Sequence, residues 1–138
     1  MGYLHVANLY KDQRIMLHKE CFALEKIHGT SAHLAWKNGE VTIFSGGEKY
    51  ERFAALFDVP KLTGLFMGLG HDEVIVYGEA YGGSQQKQAW RYGPELRFVA
   101  FDVKVNGEWL NVPDAEKLVR DLGLEFVFYR RIAVKLSA

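Results

Sequence analysis

The sequence predicts an α+β fold with largely antiparallel sheets and helices packed on one side. Three observations carry that expectation. Two Asn-Gly pairs, Asn38-Gly39 and Asn106-Gly107, each lie between strand-like runs, and Asn-Gly favours tight hairpins because both turn positions need positive φ. Hairpins of this kind outnumber β-α-β units, so neighbouring strands run antiparallel. Helical spacing is confined to a few segments, of which "EKYERFAALFDV" and the stretch opened by Pro113 are the clearest.

The elements follow in order. Alternation over residues 20–27 predicts a strand with Phe22, Leu24 and Lys26 on one face and Cys21, Ala23, Glu25 and Ile27 on the other. Residues 31–44 read as two strands joined at "KNGE". In "EKYERFAALFDV", Tyr50, Phe53, Ala54 and Phe57 fall at helical spacing, and a short helix over about 61–68 follows Pro60. The β-branched run "DEVIVYGEAYGG" gives a strand at about 73–81. "ELRFVAFDVKVNGEWLNV" gives another, with the second hairpin at Asn106-Gly107. Pro113 opens a helix anchored by Leu118, Val119 and Leu122, with Gly123 as its C-terminal cap. "LEFVFY" begins one more strand. There is no repeat, low-complexity tract or Pro/Ser-rich linker, so residues 1–138 are expected to form a single domain.

Composition narrows the class without naming the function. With 17 basic and 17 acidic side chains the net charge is zero, so any nucleic-acid contact must come from a local patch rather than the overall charge. No apolar run reaches the roughly 20 residues that cross a bilayer, and "MGYLHVANLYKDQRI" lacks the regions of a signal peptide. Cys21 is the only cysteine, which removes an intramolecular disulfide and points to a reducing, cytoplasmic compartment. His5, His18, His28, His33 and His71 have no paired metal-ligand spacing, and a P-loop motif is absent.

Chemistry concentrates at three places. Lys26 in "LEKIHGTS" has Phe22 and Leu24 on its expected face and His28 two residues on. A lysine attacks an electrophile only as the neutral amine, and apolar neighbours or a nearby cation lower its pKa towards that form. The same surroundings suit a lysine that snorkels from a strand end. Gly29 would let the backbone turn sharply or approach a ligand closely. Glu79 ends an apolar strand beside glycines, placed to bind a metal or a ribose hydroxyl, or simply solvated. In "RFVAFDV", Phe98 could stack on a base with Phe101 in the core, or both could be core residues. Asp102 shares Phe98's expected face, towards a polar cleft or a nearby turn.

In order along the chain, "EKIHGT", "VYGEAYG" about fifty residues later and "FVAFDV" about twenty after that resemble the covalent nucleotidyltransferases, the ATP-dependent RNA and DNA ligases and mRNA capping enzymes. His28 followed by Gly29-Thr30 looks most like the RNA ligase 2-like family. The resemblance implies a nucleotidyltransferase (ligase adenylation) domain in which Lys26 attacks the α-phosphate of ATP, forming lysyl-AMP. Glu25 and Ile27 would shape the adenine pocket, His28 would lie near the phosphates, Gly29, Ser31 and Lys49 would also belong to the nucleotide site, Glu79 would contact ribose or a metal ion, and Phe98 would stack on adenine. Mg²⁺ is the expected cation, because it binds phosphate oxygens and carboxylates while keeping waters. The expected partner is RNA with a nick or break, in a duplex held through phosphates and 2′-hydroxyls. Arg91, Arg97, Arg130 and Arg131 are candidate phosphate contacts.

The sequence departs from the family in three ways. Ser31 follows the Thr where relatives often carry Asn, and the basic residue expected after the first hairpin is Lys49 or Arg52. The later Glu-Gly-x-Val and Lys-x-Lys strands are missing, and Lys135 in "YRRIAVKLSA" replaces neither. The expectation is therefore a domain truncated on its C-terminal side, with an uncovered sheet edge through which a second copy could pair. The alternative function is a non-catalytic or partly active fold that binds nucleotide or RNA, or a DNA ligase-type relative.

Overall fold

The computed structural model describes residues 20–25, 27, 29–47, 50–82 and 96–133. Lys26, His28, Lys49 and Arg91 lie outside the described residues. Eleven elements follow in order: β1 (Glu20–Leu24), β2 (Thr30–Lys37), β3 (Glu40–Ser45), α1 (Tyr50–Ala54), α2 (Val59–Leu69), β4 (Glu73–Gly82), β5 (Leu96–Val105), β6 (Glu108–Trp109), α3 (Val112–Asp121), β7 (Glu125–Phe126) and β8 (Tyr129–Ala133). Two compact units are present, one of Met1–Glu25 with Phe128–Ala138 and one of Lys26–Val127.

In the smaller unit β1 and β8 pair antiparallel from Glu20↔Ala133 to Leu24↔Tyr129. Phe22 and Tyr129 meet edge to face at 5.7 Å. The Glu25 N–H donates to the Phe128 carbonyl at 2.8 Å, just past the end of the ladder. The strand expected over 20–27 ends at Leu24.

The larger unit is built on a sheet of order β3-β2-β4-β5-β6, antiparallel throughout, with β7 added parallel to β5. Both expected hairpins form. Asn38 and Asn106 take positive φ, 54° and 49°, which sets the pairings Lys37↔Glu40 and Val105↔Glu108. Because side chains alternate across a strand, the register sorts them. Leu34, Trp36, Ile43, Val74, Val76, Ala80, Phe98, Ala100 and Val103 form one buried face. Phe53 of α1 and Phe66 of α2 pack on it, against Phe98 at 5.8 Å and stacked on Trp36 at 5.5 Å respectively.

Of the two helices expected here, the one over "EKYERFAALFDV" is confined to α1, Tyr50–Ala54, and the one expected over about 61–68 is α2, which begins at Val59. Asp58 takes an extended conformation and its side chain caps the Lys61 N–H, with Pro60 in the first turn of α2. Proline is tolerated in that first turn because its missing N–H would have no intrahelical partner. Asn111 caps α3 in the same way, accepting from the Asp114 N–H at 2.9 Å, and Gly123 follows α3 at φ 75°. Asn111→Ala should cost about 1 kcal/mol, the usual effect of losing an N-cap. The check is a lowered urea midpoint at unchanged m-value. Among the described residues, no helix is long and apolar enough to cross a membrane.

Candidate functional site

The three singled-out segments converge on one row of the large sheet. Thr30 of β2 pairs with Ala80 of β4, which pairs with Phe98 of β5; one step along, Ser31 pairs with Glu79, which pairs with Val99. Residues far apart in sequence are thus set side by side by hydrogen-bond register.

Glycine is required at two points of this row. A Cβ on Gly29 would collide with the Ala80 carbonyl oxygen and lie 3.2 Å from the Tyr81 Cβ. The chain leading into β2 therefore rests directly on the β4 backbone, at the residue after Glu79. A Cβ on Gly78 would collide with the Val99 carbonyl oxygen and lie 2.8 Å from the Phe98 ring.

Gly78 also marks a feature that the sequence reading missed. The β4–β5 register shifts between Tyr77 and Gly78: Gly78 faces Ala100 while Tyr77 faces Asp102. Phe101 is the extra residue, so a β-bulge separates the two halves of β5. A glycine inside an apolar strand is the available signal for such a bulge.

The bulge corrects one expectation. Asp102 does not share the face of Phe98: it lies opposite Tyr77, and its Oδ1 accepts the Val103 N–H at 2.9 Å. Of the two alternatives for Phe98, the structure has the core one. Phe98 is 7% exposed, with Phe53 and Phe57 edge-on at 5.8 and 5.7 Å, whereas Phe101 is half-buried.

The other candidates divide as follows. Ser31, exposed, and Glu79, half-buried, share the face opposite Phe98. Ile27 is half-buried, and Glu25 is exposed in the smaller unit. Arg52 is exposed on α1, and Arg130 is exposed on β8. Arg97 holds the Glu125 carboxylate at 2.7 Å, so it enters any phosphate contact from an existing ion pair. Among the described residues, no three His, Cys, Asp or Glu side chains could hold a metal ion together. Glu79 could give a divalent ion one carboxylate ligand. That suits a metal whose other ligands are phosphate oxygens and water.

On the Ser31–Glu79 face, His33 stacks on Phe44 at 4.8 Å and leans on Tyr77 at 5.7 Å. Burial lowers the His33 pKa below its ordinary 6.5. Burial raises Tyr77, with Asp102 and Glu73 adding to the effect. For His33 the unfolded chain takes up the proton first as pH falls, so this contribution to stability is complete above about pH 6.5 and declines below it. His33→Gln should shrink the loss of melting temperature between about pH 7 and pH 5 relative to the unsubstituted protein, as read by thermal melts at both.

The RNA ligase family profile matches residues 19–136. No curated protein matches the chain. Among solved structures, an apo mutant of Naegleria gruberi RNA ligase superposes with TM-score 0.75 at 13% identity, over 94% of this chain and 42% of that one. Another mutant of the same ligase, with AMP and manganese, gives 0.71 at 12% identity over 90% and 40%. An archaeal ATP-dependent RNA ligase gives 0.66 at 20% identity over 85% and 33%. At these identities the likeness is one of fold. The chain spans about two fifths of the Naegleria ligase and one third of the archaeal one.

Proposed function

The chain belongs to the RNA ligase family, and on that premise we propose that it is the nucleotide-binding part of an ATP-dependent RNA ligase that forms lysyl-AMP at Lys26. What supports this is the row Thr30–Ala80–Phe98 with its neighbour Ser31–Glu79–Val99. It sets the end of the Lys-x-His-Gly segment, the Gly-Glu strand and the aromatic strand side by side. The Lys26 amine attacks the α-phosphorus of ATP, an N–P bond forms, the P–O bond to the β-phosphate breaks, and pyrophosphate leaves. The amine proton passes to solvent. Mg²⁺, or manganese as in the Naegleria complex, would neutralise charge on the phosphate oxygens when bound.

On this chain's side, Glu79 takes the ribose or one metal ligand, and Gly29 brings the backbone close to the nucleotide. Ile27 borders the base, and His28 and Lys49 or Arg52 approach the phosphates. Phe98 lies on the sheet face opposite Glu79 with Phe53 and Phe57 edge-on to its ring, so this reading assigns adenine no stacking partner there. In the complete reaction AMP passes to a 5′-phosphate at a break in duplex RNA, and a 3′-hydroxyl displaces it, in a reducing cytoplasmic setting.

The test is intact-protein mass after incubation with ATP and Mg²⁺. A gain of one AMP, acid-labile and mapped to Lys26, supports the reading. A folded protein that binds ATP without a covalent adduct would replace it with a non-catalytic nucleotide-binding role.

A further inference from the structure

We propose that Glu125 is a positioning residue for the nucleotide site, locking together the ends of β4 and β5 on which Gly29 and Glu79 depend. What those strand ends bind rests on the functional reading above; the coupling itself does not.

Both Glu125 oxygens are engaged. The Tyr81 hydroxyl donates to Oε1 at 3.1 Å and Arg97 Nη2 donates to Oε2 at 2.7 Å. The Arg97 guanidinium also lies 5.8 Å from the Tyr81 ring centre, which closes the triangle with a cation–π contact. The three residues come from β4, β5 and β7, and Glu125 reaches the others because β7 pairs parallel to β5 at Val99↔Glu125. Tyr81 is 6% exposed, so its ring cannot swing away without repacking.

The link to the site is the backbone contact already described. Gly29 lies on the Ala80 carbonyl and the Tyr81 Cβ, and Glu79 is two residues before Tyr81. Movement of Tyr81 therefore moves the surface on which Gly29 rests. Arg97 and Glu125 are themselves 53% and 40% exposed. An ion pair that open adds little to global stability, so breaking it should loosen the strand ends locally and leave the fold intact.

The experiment compares the full chain with Glu125→Ala and Glu125→Gln. Lys117→Ala serves as control, since it breaks a similarly open pair with Asp121 on α3. Amide hydrogen exchange should be about tenfold faster over residues 29–31 and 79–82 in Glu125→Ala, with a melting temperature no lower than in the control. Glu125→Gln keeps an acceptor for the Tyr81 hydroxyl and should restore much of the protection. ATP affinity should fall about tenfold in Glu125→Ala and less in Glu125→Gln. Faster exchange confined to residues 125–127, or spread evenly over the sheet, overturns the proposal, as does equal ATP affinity in the unsubstituted protein and Glu125→Ala. If the exchange pattern appears but the unsubstituted protein binds no ATP, the coupling stands and the nucleotide reading fails.

Discussion

A Lys26→Ala protein incubated with ATP and a divalent cation should carry no AMP, a loss of at least about 10⁴-fold in adduct formation. The size follows from the chemistry: a positioned amine reacts as if at very high effective concentration, and no solvent nucleophile replaces it. Lys26→Arg is the sharper variant. It keeps the positive charge near the phosphates, but guanidinium stays protonated and cannot attack, so it too should carry no AMP. ATP binding should survive in both, because base and ribose contacts are assigned to other residues. Mass spectrometry for the adduct and calorimetry for ATP binding check both halves. An adduct that persists in Lys26→Arg would move the nucleophile elsewhere.

Gly78→Ala should lower the unfolding free energy by about 3 kcal/mol, the upper part of the overpacking range, and the melting temperature by about 10 °C. The added methyl would meet a backbone oxygen, that of Val99, and the Phe98 ring, itself fixed among Phe53 and Phe57. A flexible side chain could step aside, but a strand in a ladder cannot without disturbing its pairing. Gly39→Ala is the comparison, because nothing lies within 4 Å of a Cβ there and only its φ of 76° is at stake. That variant should cost about 1 kcal/mol. Thermal melts of the two rank the effects, and equal losses would show that the Gly78 clash relaxes freely.

The parts of the fold that were legible in the sequence are those fixed by local chemistry. Asn38-Gly39 and Asn106-Gly107 set their own turns, and Pro113 and Gly123 bracket α3 with little help from the rest of the chain. Two features were not legible because they depend on partners distant in sequence. The Phe101 bulge exists only relative to β4, and period-two reading of "RFVAFDV" therefore carried Asp102 to the wrong face. The run "LEFVFY" reads as one strand, yet it supplies β7 to the larger unit and the start of β8 to the smaller. The helix expected after Pro60 was legible too, but its start at Val59 was not, since that depends on the Asp58 side chain accepting the Lys61 N–H. For the site, the order of the three segments was readable, but the Tyr81–Glu125–Arg97 cluster was not, since no motif links those positions.

The row through Thr30, Ala80 and Phe98 has a consequence for how such a protein can change. Its members are addressed by strand register, not by distance along the chain. An insertion at the Asn38-Gly39 tip lengthens the path between them without moving any of them. Deleting a single residue inside β4 would turn every later side chain to the other face and take Glu79 out of line with Ser31. Length is therefore the free variable in this architecture, and parity is the conserved one.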